Sequence, residues 1–161
     1  MSASVSAELR ISWAFAQLSA LNAMDVCDLF ELRQRVFMLE QACMYQDIEA
    51  LDKRVWHLLG RDEDDQLMAY LRVIPPRGKY PEPAIGRVVT NPPGRRNGLG
   101  RYLMQEGIRR TSMLYPGCGI HISAQTYLLK FYSSLGFTSV GEAFMEDGIE
   151  HIEMYLSATA I

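Results

Sequence analysis

The chain has 161 residues, the length of one compact domain and enough to enclose a core. Its 48% apolar and 22% charged residues are those of an ordinary globular protein, and a net charge of -3 argues against a dedicated nucleic-acid binder. No apolar run is long enough to span a bilayer, and the N-terminus lacks a signal-peptide pattern. Cys27, Cys43 and Cys118 are odd in number and widely spaced, so neither a disulfide framework nor a metal site is expected. A cytoplasmic protein with reduced thiols, binding no metal, nucleic acid or membrane, is the expectation.

In chain order, residues 11–17 alternate with aromatics and predict a strand. Asn22 or Asp25 can cap a helix reaching about Leu39, with Val26, Leu29, Phe30, Val36 and Phe37 on its inner side. Residues 40–53 are polar and irregular. Residues 55–61 and 66–74 read as a hairpin around the acidic turn Asp62 to Asp65. A proline- and glycine-rich loop, 75–83, leads to a strand at 84–90, which the breakers Asn91, Pro92, Pro93 and Gly94 end. A helix over 98–114 stops at Pro116 and Gly117. A strand at 118–123 and a helix at 124–135 follow, the helix closed by Gly136. Strands at 138–144 and 151–156 flank the turn Glu146, Asp147, Gly148. This order implies one α/β domain over 1–161, a mixed sheet with helices against it.

The strongest chemistry lies where the strand at 84–90 turns into a helix through two glycines. Gly98 and Gly100 let a ligand approach the backbone, and the first helical amides have no intrahelical acceptor. Helix dipole and Arg95, Arg96 and Arg101 favour an anion such as a diphosphate. A third glycine is missing for a dinucleotide fingerprint, and no Gly-Lys-Ser/Thr follows for a Walker loop.

Arg95, Arg96, Asn97, Gly98, Leu99 and Gly100 match the signature (Gln/Arg)-x-x-Gly-x-(Gly/Ala) of the GNAT superfamily of N-acetyltransferases, which the chain resembles. Residues 124–137 resemble its second motif, a helix ending Tyr132, Ser133, Ser134, Leu135, Gly136, Phe137. Leu32 to Phe37, Glu40, Gln41, Tyr45, Asp52 and His57, with Glu146 to His151, are similar to the ElaA-like subfamily. The resemblance covers nearly the whole chain from about Leu9.

It implies an α/β (α+β) fold with about seven strands in a mixed central sheet and helices on both faces. A splayed strand at 86–90, facing 118–123, would take the pantetheine arm of acetyl-CoA on Val88, Val89 and Thr90. The loop amides and arginines from Arg95 through Arg96, Asn97, Gly98, Leu99 and Gly100 to Arg101 would cradle its pyrophosphate. Gln125 stands where the family often has an asparagine touching the pantetheine, and Arg96 replaces a common glycine. The implied reaction is direct acetyl transfer to a primary amine through a tetrahedral oxyanion, with the Val89 amide as its donor and Tyr132 as general acid.

Where many members carry a glutamate on the splayed strand, Gly86, Arg87, Val88 and Val89 offer none. Glu40, His57 and His151 are the base candidates, and Gln41 and Tyr45 join them as substrate-pocket residues. The competing function is a CoA-binding sensor with little turnover. A monomer or a homodimer fits equally.

Overall fold

A computed structural model of the chain describes residues 9–95 and 97–161. Strand β1 (Ser12–Gln17) leads through a short turn into helix α1 (Ala23–Arg33). The Asn22 side chain accepts a hydrogen bond from the Asp25 amide at 2.8 Å, so Asn22 is the cap. Past Arg33 the coil continues to Glu40 in wider π-type turns. Leu29, Leu32, Val36 and Phe37 form its buried stripe.

Strands β2 (Trp56–Arg61) and β3 (Leu67–Ile74) form the expected hairpin. The Asp62 carboxylate closes its turn, accepting from the amides of Asp64 and Gln66 at 2.9 Å each. Strand β4 (Ala84–Thr90), helix α2 (Leu99–Leu114), strand β5 (Ile120–Gln125), helix α3 (Leu129–Ser134) and strands β6 (Thr138–Glu146) and β7 (Ile149–Leu156) complete the chain.

Two stretches depart from the sequence expectation. Ala124 and Gln125 were expected to open a helix, but they extend β5 by pairing with Ile152 and His151 of β7. A 3-10 turn follows, and α3 keeps only six residues. Gly136 closes it at φ +98°, with its amide bonded to the Ser133 carbonyl at 3.0 Å. The last hairpin is longer than expected because Asp147 and Gly148, both at positive φ, make a two-residue turn between matched strands.

The seven strands lie in the order β1-β2-β3-β4-β5-β7-β6, antiparallel throughout except for β4 with β5. The stripe of α1 packs on Leu59, Tyr70 and Val89 on one face. On the other, α2 and α3 bury Leu99, Leu103, Met104 and Tyr132 against Leu58, Leu71, Ile122 and Met154. Helices therefore cover both faces, as the resemblance implies. No helix among the described residues is long and apolar enough to cross a membrane.

Candidate active site

β4 and β5 share only two register pairs, Ala84 with His121 and Ile85 with Ile122. Beyond them β4 stays paired with β3 to Thr90, and β5 with β7 to Gln125, yet the two strands part. A bulge marks the place. Tyr70 pairs with Val89 but Arg72 with Gly86, so three steps on β4 oppose two on β3. Arg87 is the extra residue, at φ +50°. Peptide groups of residues 86–90 on the β5 side are left without a strand partner, a row of donors and acceptors that an extended ligand can pair with. The wedge opens into a cleft of about 640 Å3 whose walls include Val88, Val89, Thr90 and Gln125.

One end of the cleft is the start of α2. Gly98 caps it at φ +76°, a conformation that favours glycine. A methyl on Gly98 would meet nothing within 4 Å, and on Gly100 only the rim of Phe131 at 3.8 Å. Internal crowding therefore does not demand Gly100, and the space beside it is open. Arg95, Gly98, Leu99, Gly100 and Arg101 all border the cleft, with Arg101 resting over the Phe131 ring. Asn97 is exposed and does not border it, and Arg96 lies outside the described residues.

Tyr132 forms part of the same wall. Its ring is buried in edge contacts with Phe131 and Phe137, and burial pushes its phenol up to about 12. Among the described residues its hydroxyl has no hydrogen-bond partner. It is an un-ionised donor facing a cleft.

The other end is formed by Gln41, Cys43 and Tyr45 and by the β6–β7 turn with Glu146, Asp147 and His151. Gln125 and Gln41 touch across it at 3.4 Å. The three base candidates separate here. Glu40 reaches the cleft but is clamped in a two-pronged pair with Arg95, whose hydrogen bonds hold its carboxyl below the usual range. His151 donates from Nδ1 to the Ile149 carbonyl at 2.8 Å, because a carbonyl can only accept. Its Nε2 has no hydrogen-bond partner among the described residues.

His57 does not border the cleft. It is fully buried in β2, donating from Nε2 to the Asp52 carbonyl at 2.8 Å and accepting the Tyr70 hydroxyl at Nδ1. A histidine with both nitrogens engaged and no solvent is a core residue, which removes it from the substrate pocket. Burial lowers its pKa, so the folded state binds fewer protons than the unfolded one below the ordinary value near 6.5. Stability is therefore full above about pH 6.5 and falls as the pH drops below it. Urea midpoints across pH 5–8 will show this decline, and His57→Gln will abolish it.

Sequence reasoning missed an ionic cluster beneath this end. Arg33, with no exposed surface, bonds Asp47 through Nε at 3.0 Å and Asp52 through Nη1 at 2.7 Å. Arg72 bonds Asp52 at 2.9 Å and Glu49 at 2.7 Å, and Arg87 bonds Asp47 at 2.7 Å. For Asp52, burial opposes ionisation, but the Arg33 hydrogen bond and the Glu49 amide outweigh it and hold the carboxyl below its usual range. The cluster pins the irregular segment 41–55 to the sheet. A clue was available: Arg33 sits inside the apolar spacing Leu29, Leu32, Val36, where a charge requires buried carboxylates.

Comparison with known proteins agrees with this geometry. The family model described as an acetyltransferase (GNAT) domain matches residues 24–158. A UPF0039 protein of Synechocystis is 41% identical over 91% of this chain and 95% of its own. Among solved structures, an acyl-CoA N-acyltransferase from Pseudomonas aeruginosa superposes with a TM-score of 0.87 at 34% identity, over 92% of this chain and 100% of that one. Escherichia coli ElaA superposes with a TM-score of 0.85 at 33% identity, with the same coverage. The parted strands, the glycine-opened helix and these likenesses agree: the chain belongs to the GNAT acetyltransferase family, in its ElaA-like branch.

Proposed function

We propose that the protein transfers an acetyl group from acetyl-CoA to a primary amine, on a small molecule or on a peptide or lysine side chain. The observation that carries this is the wedge between β4 and β5 running straight into the open start of α2. Val88, Val89 and Thr90 pair with pantetheine amides in this reading, which their position in the wall of the wedge supports, and Gln125 lines the same cleft. Arg95, Gly98, Leu99, Gly100 and Arg101 offer amides and guanidiniums to a diphosphate.

The thioester supplies an electrophilic carbon: the amine bonds to it, the C–S bond breaks, and the proton lost by nitrogen ends on sulfur. The Val89 amide stabilises the oxyanion. The Tyr132 hydroxyl donates to the departing sulfur and passes on the amine's proton. His151, with Nε2 free, accepts the proton that an incoming ammonium must first lose, directly or through water.

Gly100→Ala isolates the cofactor half of this reading. Alanine improves the helix by up to about 1 kcal/mol, so unfolding is unchanged or slightly later. The methyl enters ligand space, and the calorimetric Kd for CoA rises roughly tenfold, about 1.4 kcal/mol. The overall test is incubation with acetyl-CoA and an amine panel while free thiol is followed. Absence of CoA binding refutes the proposal. Tight binding without thiol release from any amine favours a CoA sensor, a reading supported by the lack of a carboxylate on residues 86–89.

A further inference from the structure

In the bulge of β4, where a catalytic carboxylate is missing, stands a guanidinium that the interior uses only in part. Arg87 gives its Nε to Asp47 at 2.7 Å, and its plane lies 5.6 Å over the Tyr45 ring. Among the described residues its two Nη nitrogens have no partner, and the side chain, 26% exposed, borders the acceptor end of the cleft. The Nε bond and the ring beneath fix the orientation of the plane, so the outer donors are held ready before any ligand arrives.

Three further facts bear on what they wait for. The buried cluster is already balanced, with Arg33, Arg72 and Arg87 matched by Asp47, Asp52 and Glu49, so Arg87 is not needed to neutralise a second internal carboxylate. Its positive φ is a conformation that residues other than glycine rarely adopt, a strain found where a side chain must be aimed. Across the same end, Glu146 and Asp147 of the β6–β7 turn supply the opposite sign. A planar pair of N–H donors matches the two oxygens of a carboxylate or phosphate, and carboxylates opposite match an ammonium.

We infer that the acceptor amine carries an oxyanion, a carboxylate or a phosphate a few atoms from its nitrogen, and that Arg87 holds this group while the nitrogen reaches the thioester. Arg87 is then a specificity-determining residue beside the Val88 and Val89 amides. The inference rests on the acyl-transfer reading of the cleft.

Three matched sets of amines test it with acetyl-CoA: amino acids, the amines left when their carboxylate is removed, and aminoalkyl phosphates of the same length. Wild-type kcat/KM is expected to favour an oxyanion-bearing amine over its bare counterpart by about 100-fold, and the better set identifies the anion. Arg87→Gln brings that ratio to within about threefold of unity, chiefly by raising KM for the anionic amine, and Arg87→Lys restores part of it. The proposal is overturned if bare amines are acetylated equally well, if no anionic amine is acetylated, or if Arg87→Gln lowers both sets alike. The wild-type comparison decides the matter even where a variant folds poorly. Calorimetry with CoA separates the two readings: failure to bind CoA removes the cleft assignment itself, whereas binding with no preference for anionic amines removes only the role of Arg87.

Discussion

Tyr132→Phe lowers kcat by about 100- to 10,000-fold and leaves CoA affinity and unfolding nearly unchanged. The ring sits in edge contact with Phe131 and Phe137, and phenylalanine preserves that packing. Only the hydroxyl is lost, and among the described residues it bonds to nothing in the protein, so no internal partner is abandoned. Binding and packing are therefore blind to the change, while charge on the departing sulfur is not. Thiol release under single-turnover conditions, beside calorimetry with CoA, makes the measurement. A normal rate per bound cofactor, with weakened binding, would show that the hydroxyl serves the ligand rather than the proton.

Arg33→Met is expected to be the most destabilising single change in the interior, by roughly 3–5 kcal/mol. It removes four hydrogen bonds and leaves Asp47 and Asp52, at 3% and 1% exposure, with Arg87 and Arg72 alone as their guanidinium partners. In a chain of this size each kcal/mol lowers Tm by about 2–4 °C, so melting falls by about 6–20 °C. Arg33→Lys recovers little, because an ammonium cannot serve both carboxylates in the plane that a guanidinium provides. Arg33→Met combined with Asp52→Asn should cost less than the two separate losses added together, since the second change removes one of the buried charges that lost a partner. Additive losses in urea titrations would show that the bonds act independently.

The order of elements was legible because each boundary has a local cause. Asn22 caps α1, Gly136 ends α3, and Asn91 to Gly94 break the chain after β4. The start of α2 was legible for the same reason, as two glycines and three arginines fall within seven residues. The end of β5 was not. Ala124 and Gln125 suit a helix or a strand, and their partners Ile152 and His151 lie nearly thirty residues onward. His57 shows the converse failure. A histidine in an apolar run can serve a site or a core, and only Tyr70 and the Asp52 carbonyl, brought to it by folding, decide between them. The ionic cluster was hidden because its members span 33 to 87 and look like ordinary surface charges one by one.

Asp47 accepts from Arg33 on the inside and from Arg87 at the cleft. One carboxylate thus couples conformational integrity to the choice of acceptor. A substitution at 87 that retunes recognition withdraws a partner from a group with almost no contact with water. Divergence of substrate preference in this lineage should therefore proceed by paired changes at 47 and 87, and laboratory libraries that randomise both positions together should yield folded, retargeted variants more often than libraries that vary 87 alone.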